Sequence, residues 1–257
     1  MKYGICLLNI APLRKEASDR SEMISQVLFG EHFEIIDEQK NWSYIRLDYD
    51  QYEGWIDKKQ YEIISEFDRN LINKSTPHYS GELVDFLNIN NSQLLTLSLG
   101  AKLPNYQQKK FIVNQQNFNF DGSVFNIQLN KKHIVNIAYM YLNTPYLWGG
   151  KTPFGIDCSG FTQMVYKLCG YYLDRDASQQ AKQGIILNFL EESEPGDLVF
   201  FDNAEGKIIH VGILIGNERI IHASGKVRID YIDHYGIYNV ETKTHTHKLR
   251  LIKQLIS

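Results

Sequence analysis

Asp157-Cys158-Ser159-Gly160 sets a cysteine where a glycine-punctuated loop gives way to helical spacing, and His210 and His222 follow far downstream in apolar runs. A thiol and an imidazole are the pair needed for nucleophilic hydrolysis. The thiolate attacks, and the histidine takes the thiol proton and returns a proton to the leaving amine. Cys158 is the candidate nucleophile, His210 the candidate base and His222 the candidate orienter of that base.

The elements that must position these residues are legible. Thr144 to Gly150, with Pro153 and Gly155, is too rich in Pro and Gly for a helix or regular strand and reads as a structured loop. Phe161, Val165 and Leu168 then recur at helical spacing and Gly170 ends the pattern, so the spacing predicts a buried helix over Ser159 to Cys169. Cys158 at its N-terminus would meet unpaired N–H groups and the positive end of the helix dipole. That setting is expected to lower its pKa from a free value of about 8.5. Ile208 to Ile215 and Arg219 to Ser224 are runs of strand type, and Gly216-Asn217 between them reads as a turn. A hairpin would bring His210 and His222 together on neighbouring strands.

Pro145-Tyr146-Leu147-Trp148-Gly149-Gly150, Asp157-Cys158-Ser159-Gly160-Phe161, Pro195-Gly196-Asp197-Leu198-Val199-Phe200-Phe201, His210-Val211-Gly212-Ile213 and Ile221-His222-Ala223 together resemble the NlpC/P60 family of cell-wall cysteine peptidases. A lone Asp-Cys-Ser-Gly would carry little; separated motifs in one order carry much more. The resemblance covers roughly residues 130 to 257. It implies a papain-like α+β domain, with the cysteine helix on an antiparallel sheet, that cleaves the γ-D-glutamyl bond of peptidoglycan stem peptides. A peptidoglycan amidase or wall hydrolase on a related thiol fold is the alternative enzyme, and a wall-binding pseudoenzyme the alternative binding protein. The complete triad argues against the latter.

The N-terminal part reads differently. Val27-Leu28-Phe29, Phe33 to Ile36, Trp42 to Leu47 and Glu53 to Ile56 are short strand-like runs separated by polar turns, the pattern of a small β-barrel over residues 1–66. Phe29-Gly30-Glu31, Asn41 to Ile45 and Glu53-Gly54-Trp55-Ile56 resemble bacterial SH3-type modules. A second, divergent SH3-like copy is expected over 67–126, from Leu94 to Gly100 and Lys110 to Val113, with Asn114 to Asn119 as a loop. Helical spacing over Leu129 to Leu142 puts the start of the catalytic domain, 127–257, at 127. The fold class is therefore multidomain, all-β SH3-like barrels followed by an α+β domain.

At 257 residues and 43% hydrophobic, the chain can build packed cores. A net charge of −3 and the lack of a basic run argue against a nucleic-acid partner. No stretch approaches the roughly 18 apolar residues of a membrane span, and Met1 to Arg14 lacks signal-peptide character. Three irregularly spaced cysteines do not suggest a disulfide framework. A cytoplasmic monomer acting on a peptidoglycan-derived peptide, with no membrane partner and no cofactor, is the expectation.

Each candidate has a plainer competitor. Cys158 could be a buried structural thiol, as Cys6 and Cys169 are taken to be. His210 and His222 could be core histidines, or with Cys158 form a zinc ligand set, but the motif context outweighs both. His245 and His247 alternate on one strand without further clustered ligands, so no metal site is expected. Tyr146 could merely pack; its hydroxyl is expected to join the Cys158 backbone N–H in an oxyanion hole. Asp157 and Ser159 cap the helix and are also expected to contact substrate. Relatives in which SH3-type modules precede such a domain use the first barrel to recognise the free amine of an N-terminal L-alanine, through an acidic side chain and a tyrosine. That resemblance points to Tyr52 and, with no motif fixing it, to Glu22.

Overall fold

The computed structural model describes residues 1–126 and 128–256, so the boundary expected at 127 lies at a residue outside those described. The chain forms two compact units, the first ending at Asn126.

The first unit opens with β1 (Lys2–Ile5), β2 (Ile10–Arg14), β3 (Met23–Leu28), β4 (His32–Glu38), β5 (Trp42–Leu47), β6 (Glu53–Asp57) and β7 (Glu62–Ile64), arranged β3-β2-β6-β5-β4-β1-β7. Alternation in β5 and β6 turns Ser43, Ile45, Leu47, Gly54 and Ile56 inward, which is the period-2 signature of a strand with one buried face. Ser65 caps α1 (Glu66–Lys74), a helix the strand-like reading of this region did not foresee. Arg69 of α1 grips Asp48 through two bonds of 2.7 and 2.9 Å. Then follow β8 (Tyr79–Ser80), β9 (Val84–Ile89), β10 (Gln93–Ser98), β11 (Lys110–Val113), β12 (Gln116–Asn119) and β13 (Val124–Phe125).

Strands β10-β9-β12-β11 form a four-stranded sheet and β8 pairs with β13. Leu87, Leu97, Phe111 and Phe118 of this region share one core with Tyr3, Ile5, Phe29 and Ile64 of the preceding strands. The region in which a second barrel is expected thus packs into one compact unit with the first seven strands. Asn114 to Asn119 is not a loop: Asn114 and Gln115, both at positive φ, make the turn of a hairpin whose second strand is β12. Its polar residues hid it, because only Phe118 faces the core.

The second unit carries α2 (Lys132–Met140), the short strands β14 (Lys151–Thr152) and β15 (Gly155–Ile156), α3 (Cys158–Leu168), α4 (Ala177–Gln180) and β16 (Ile185–Leu187). After these come β17 (Leu198–Asp202), β18 (Ile208–Gly216), β19 (Arg219–Ser224), β20 (Lys226–Ile232), β21 (Gly236–Asn239) and β22 (Thr244–Gln254). The sheet runs β16-β22-β17-β18-β19-β20-β21, and pairing of β21 with β22 closes it into a barrel. Val199, Phe201, Leu214, Ile220, Ile232, Ile237 and Ile252 fill the interior. Every residue of α3 is buried, and the helix packs on β18 and β19. No helix among the described residues is long and apolar enough to cross a membrane.

Candidate active site

Asp157 ends the loop before α3 in extended conformation and caps the helix, its Oδ1 accepting from Gly160 N–H at 2.6 Å. Its Oδ2 accepts from Gly149 N–H at 2.8 Å, so one carboxylate ties the loop to the helix. Gly160 can come close because it has no Cβ, which would fall 2.3 Å from Gly150 O. Cys158 is therefore held as the first residue of a rigid, fully buried helix.

Arg175, absent from the sequence-derived site, completes this frame. Only 1% exposed, it donates to both Asp157 oxygens at 3.0 and 2.6 Å and to Ser159 Oγ at 3.0 Å. This fork is the bidentate geometry in which guanidinium and carboxylate pair most strongly. The bonds of Asp157 and Ser159 make them the scaffold of Cys158. Gln180 of α4 adds a bond to Ser159 O at 2.9 Å.

The base side is built on the barrel. His222 and Asp230 lie two positions from the interior residues Ile220 and Ile232, and His210 lies four from Leu214, so the strand repeat turns all three to the same face. In the ladder His222 pairs with Gly212, and a Cβ at Gly212 would meet that of His222 at 2.9 Å. The glycine gives His222 room to lean across to His210, whose Nε2 lies 2.8 Å from His222 Nδ1. His222 Nε2 is in turn 3.1 Å from Asp230 Oδ2. Asp230 also takes Arg228, at 3.0 Å to Oδ1 and 2.7 Å to Oδ2.

This chain fixes proton positions. A carboxylate only accepts, so His222 carries its proton on Nε2 and offers the Nδ1 lone pair. His210 must then donate from Nε2, which leaves Nδ1 as its basic atom. The residue after it, Val211, has its backbone hydrogen-bonded to the Cys158 sulfur, so the strand that carries His210 runs against the thiol. With both nitrogens engaged, His222 has no lone pair for a zinc ion. Among the described residues no group of three or more His, Cys, Asp or Glu side chains is placed so that it could hold a metal ion.

Burial sets the charge states. It pushes the Cys158 thiol up to about 12, and the Asp157 charge adds to that, while the Val211 and Ser159 backbone and Arg175 oppose it. The expected depression by the helix terminus is overruled, because removing a thiolate from water costs more than one helix end returns. Burial also drives His210 well below its ordinary value, helped by His222 and His247. At rest both the Cys158 thiol and the His210 imidazole are therefore neutral. Burial alone would raise Asp230, but the bonds from His222 and Arg228 outweigh it and hold the carboxyl below its usual range.

Tyr146 lies close enough to Cys158 and Asp157 for a phenolate there to be disfavoured by them. Burial first, then these two neighbours, push its phenol up to about 12, so it is a hydrogen-bond donor at neutral pH. Its position is set by Tyr146 N–H bonding Gly225 O at 3.0 Å. Glu22 and Tyr52 belong to the first unit. Arg14 of β2 faces both Met23 and Trp55, so Glu22 and Tyr52 flank β2 on either side at one end of the sheet. Glu22 pairs with Lys15 at 3.3 Å, and Tyr52 packs against the barrel core.

Residues 143–248 match the NlpC/P60 family, and residues 13–60 match the bacterial dipeptidyl-peptidase Sh3 domain. A γ-D-glutamyl-L-lysine dipeptidyl-peptidase of Bacillus subtilis is 33% identical over 77% of this chain and 71% of its own length. The chain belongs to the NlpC/P60 family. Its namesake in Bacillus cereus is 28% identical over 80% of this chain and 68% of that protein. The fold matches an NlpC/P60 family protein from Bacillus cereus with a TM-score of 0.80, 20% identity and coverage of 99% and 100% of the two chains. As an NlpC/P60 enzyme the protein is a cysteine peptidase with an SH3-like region ahead of its catalytic domain.

Sequence reasoning missed Arg175, Asp230 and His247. Arg175, between Asp174 and Asp176 and just before a short helix, offered a weak signal as a charge without an obvious surface face. Asp230 sits where strand alternation calls for an apolar residue, and a buried charge on such a face was the available clue.

Proposed function

We propose that the protein hydrolyses the bond between D-glutamate and the following diamino acid in peptidoglycan stem peptides whose N-terminal L-alanine is free. The relay from Asp230 through His222 to His210, on the strand whose Val211 backbone bonds the Cys158 sulfur, carries the reading. The relatives named for γ-D-glutamyl-L-lysine cleavage supply the substrate class. A dipeptidyl-peptidase counts two residues from a free amino end, which fits L-Ala-γ-D-Glu as the released unit.

His210 Nδ1 takes the Cys158 proton as sulfur adds to the γ-carbonyl of D-glutamate. The Tyr146 hydroxyl and the Cys158 N–H stabilise the oxyanion. The imidazolium passes its proton to the departing amine, leaving a thioester. His210 then removes a proton from water, and the resulting attack frees the acid and the thiol. Glu22 and Tyr52 are the residues proposed for the free amine, which restricts the enzyme to peptides already released from the wall.

The test is to incubate the protein with L-Ala-γ-D-Glu-diamino acid, its N-acetylated form and intact sacculi, and to identify products by mass. Expected are L-Ala-D-Glu and the free diamino acid, with kcat/KM at least about tenfold lower after acetylation. Equal rates with and without acetylation would remove the free-amine restriction, and release of whole stem peptides with a free L-alanine amine from sacculi would replace the peptidase by an amidase.

A further inference from the structure

His247 lies outside the Cys158, His210, His222 triad, yet its ring stacks on that of His210, with centroids 4.2 Å apart and 26° between planes. It stands edge-on to His222 at 5.8 Å and to Phe201 at 5.9 Å. Phe201 meets His210 at 5.8 Å. The base is thus enclosed: His222 holds its Nε2 and His247 covers a ring face. His247 is anchored in turn, its Nδ1 2.9 Å from Thr246 Oγ1 and its backbone paired with Ile237 in the seam that closes the barrel.

We propose that His247 is a positioning residue for the hydrolysis, a wall that keeps the His210 ring in its serving orientation and the π face against which the His210 imidazolium forms. The proposal rests on reading Cys158 and His210 as nucleophile and base. A histidine ring torsion is broad and two-fold, so a bond at Nε2 alone leaves the ring free to swing about that anchor. A stacked neighbour removes this freedom. Once His210 has taken the thiol proton it is a cation, and the face of an adjacent neutral aromatic ring attracts it.

For that role His247 must itself stay uncharged. Burial, with His222 adding to it and Asp230 opposing, pushes it down to about 4. The titratable groups around it are His210 from β18, His222 from β19 and Asp230 from β20, the last backed by Arg228. At neutral pH the stacked ring is therefore neutral, and it repels the His210 cation only in acid.

The experiment compares wild type with His247→Ala, His247→Leu and His247→Phe, measuring kcat, KM and the pH profile on the L-Ala-γ-D-Glu-diamino acid tripeptide. His247→Ala is expected to lower kcat about tenfold with KM changed less than about twofold. Its acid limb should move to higher pH, because water reaching His210 relieves the burial that holds its pKa down. His247→Leu fills the volume without a ring, keeps the fold where alanine does not, and should show the same loss of kcat. His247→Phe retains the wall and should stay within about threefold of wild type. Unchanged kcat and acid limb in the alanine and leucine variants would overturn the proposal, as would a phenylalanine variant as slow as alanine. A Cys158→Ala protein that still turns over would overturn the nucleophile and this role together; an active Cys158 centre indifferent to His247 overturns this role alone.

Discussion

His210 Nε2 and His222 Nδ1 lie 2.8 Å apart although His222 is paired in the ladder with Gly212, two residues beyond His210. The contact is diagonal, reached by a side chain leaning over a glycine. It makes His222 an acceptor, and Asp230 at its far nitrogen makes that tautomer obligatory.

The members of the relay should therefore fail to different degrees. His210→Ala removes the base and should abolish turnover. His222→Gln can still accept from His210 and should keep a measurable fraction. Asp230→Asn frees the opposite tautomer of His222 and removes the charge behind it, so kcat should fall on the order of a hundredfold with little change in KM. Steady-state kinetics decide this; full activity in Asp230→Asn would show that His222 holds its tautomer without the carboxylate.

The neutral resting thiol has its own consequence. Cys158→Ala and Cys158→Ser should be inactive but folded, because they remove a nucleophile and little packing. Cys6, Cys158 and Cys169 are all buried thiols pushed up to about 12, so burial does not single one out. Iodoacetamide should still modify Cys158 first, because His210 can take its proton, and His210→Ala should slow that labelling at least about tenfold. Peptide mapping that finds Cys6 or Cys169 modified first, with activity retained, would remove Cys158 from its role.

Arg175 and Asp157 are mutually dependent. Arg175→Met leaves a carboxylate buried without its cation, a change that costs about 3–5 kcal/mol in comparable pairs. Asp157→Asn in the same chain should recover part of that loss, since the uncompensated charge is gone while an oxygen remains for capping. Urea midpoints of the single and double variants measure this coupling. Additive losses would mean that the pair is not what holds the nucleophile's frame.

The sequence carried the local part of this site and little of the long-range part. The helix start at Asp157-Cys158 and the strands bearing His210 and His222 follow from spacing, while the turn expected at Gly216-Asn217 falls one residue later, on Asn217 and Glu218, both at positive φ, because Gly216 is still paired in β18. His247 comes from β22, which reaches the base only through long-range pairing with β17 and β21 that no periodicity encodes, whereas Asp230 meets His222 diagonally across the β19-β20 hairpin, whose register the spacing alone does not give. The thiol was misjudged for a related reason. A helix terminus can be read from neighbours in the chain, but the depth at which the fold buries Cys158 cannot. Likewise Gln116 to Asn119 looked like a loop because a sheet with one solvated face accepts polar residues.

Acid should destabilise the folded protein earlier than its carboxylates alone would bring about. His210 and His222 are buried with pKa values held below the ordinary 6.5, the first by burial and its histidine neighbours, the second by burial against the pull of Asp230. Above pH 6.5 both are neutral whether the chain is folded or not, and stability is unaffected. As pH falls through that value the unfolded chain binds protons that the folded protein refuses, so stability drops, and it keeps dropping until the folded pKa is reached. The slope is at most roughly 1.4 kcal/mol per pH unit for each of the two histidines. Urea midpoints should therefore decline between pH 7 and pH 5, a window lying above the roughly 3.9–4.3 range of free carboxylates. His247, pushed down to about 4, adds a third histidine of the same kind, so His222→Gln should flatten that decline by about a third if it remains folded. A midpoint constant over the window in the wild-type protein would mean that His210 and His222 take up protons in the folded state as readily as in the unfolded chain, and the neutral resting pair would have to be given up.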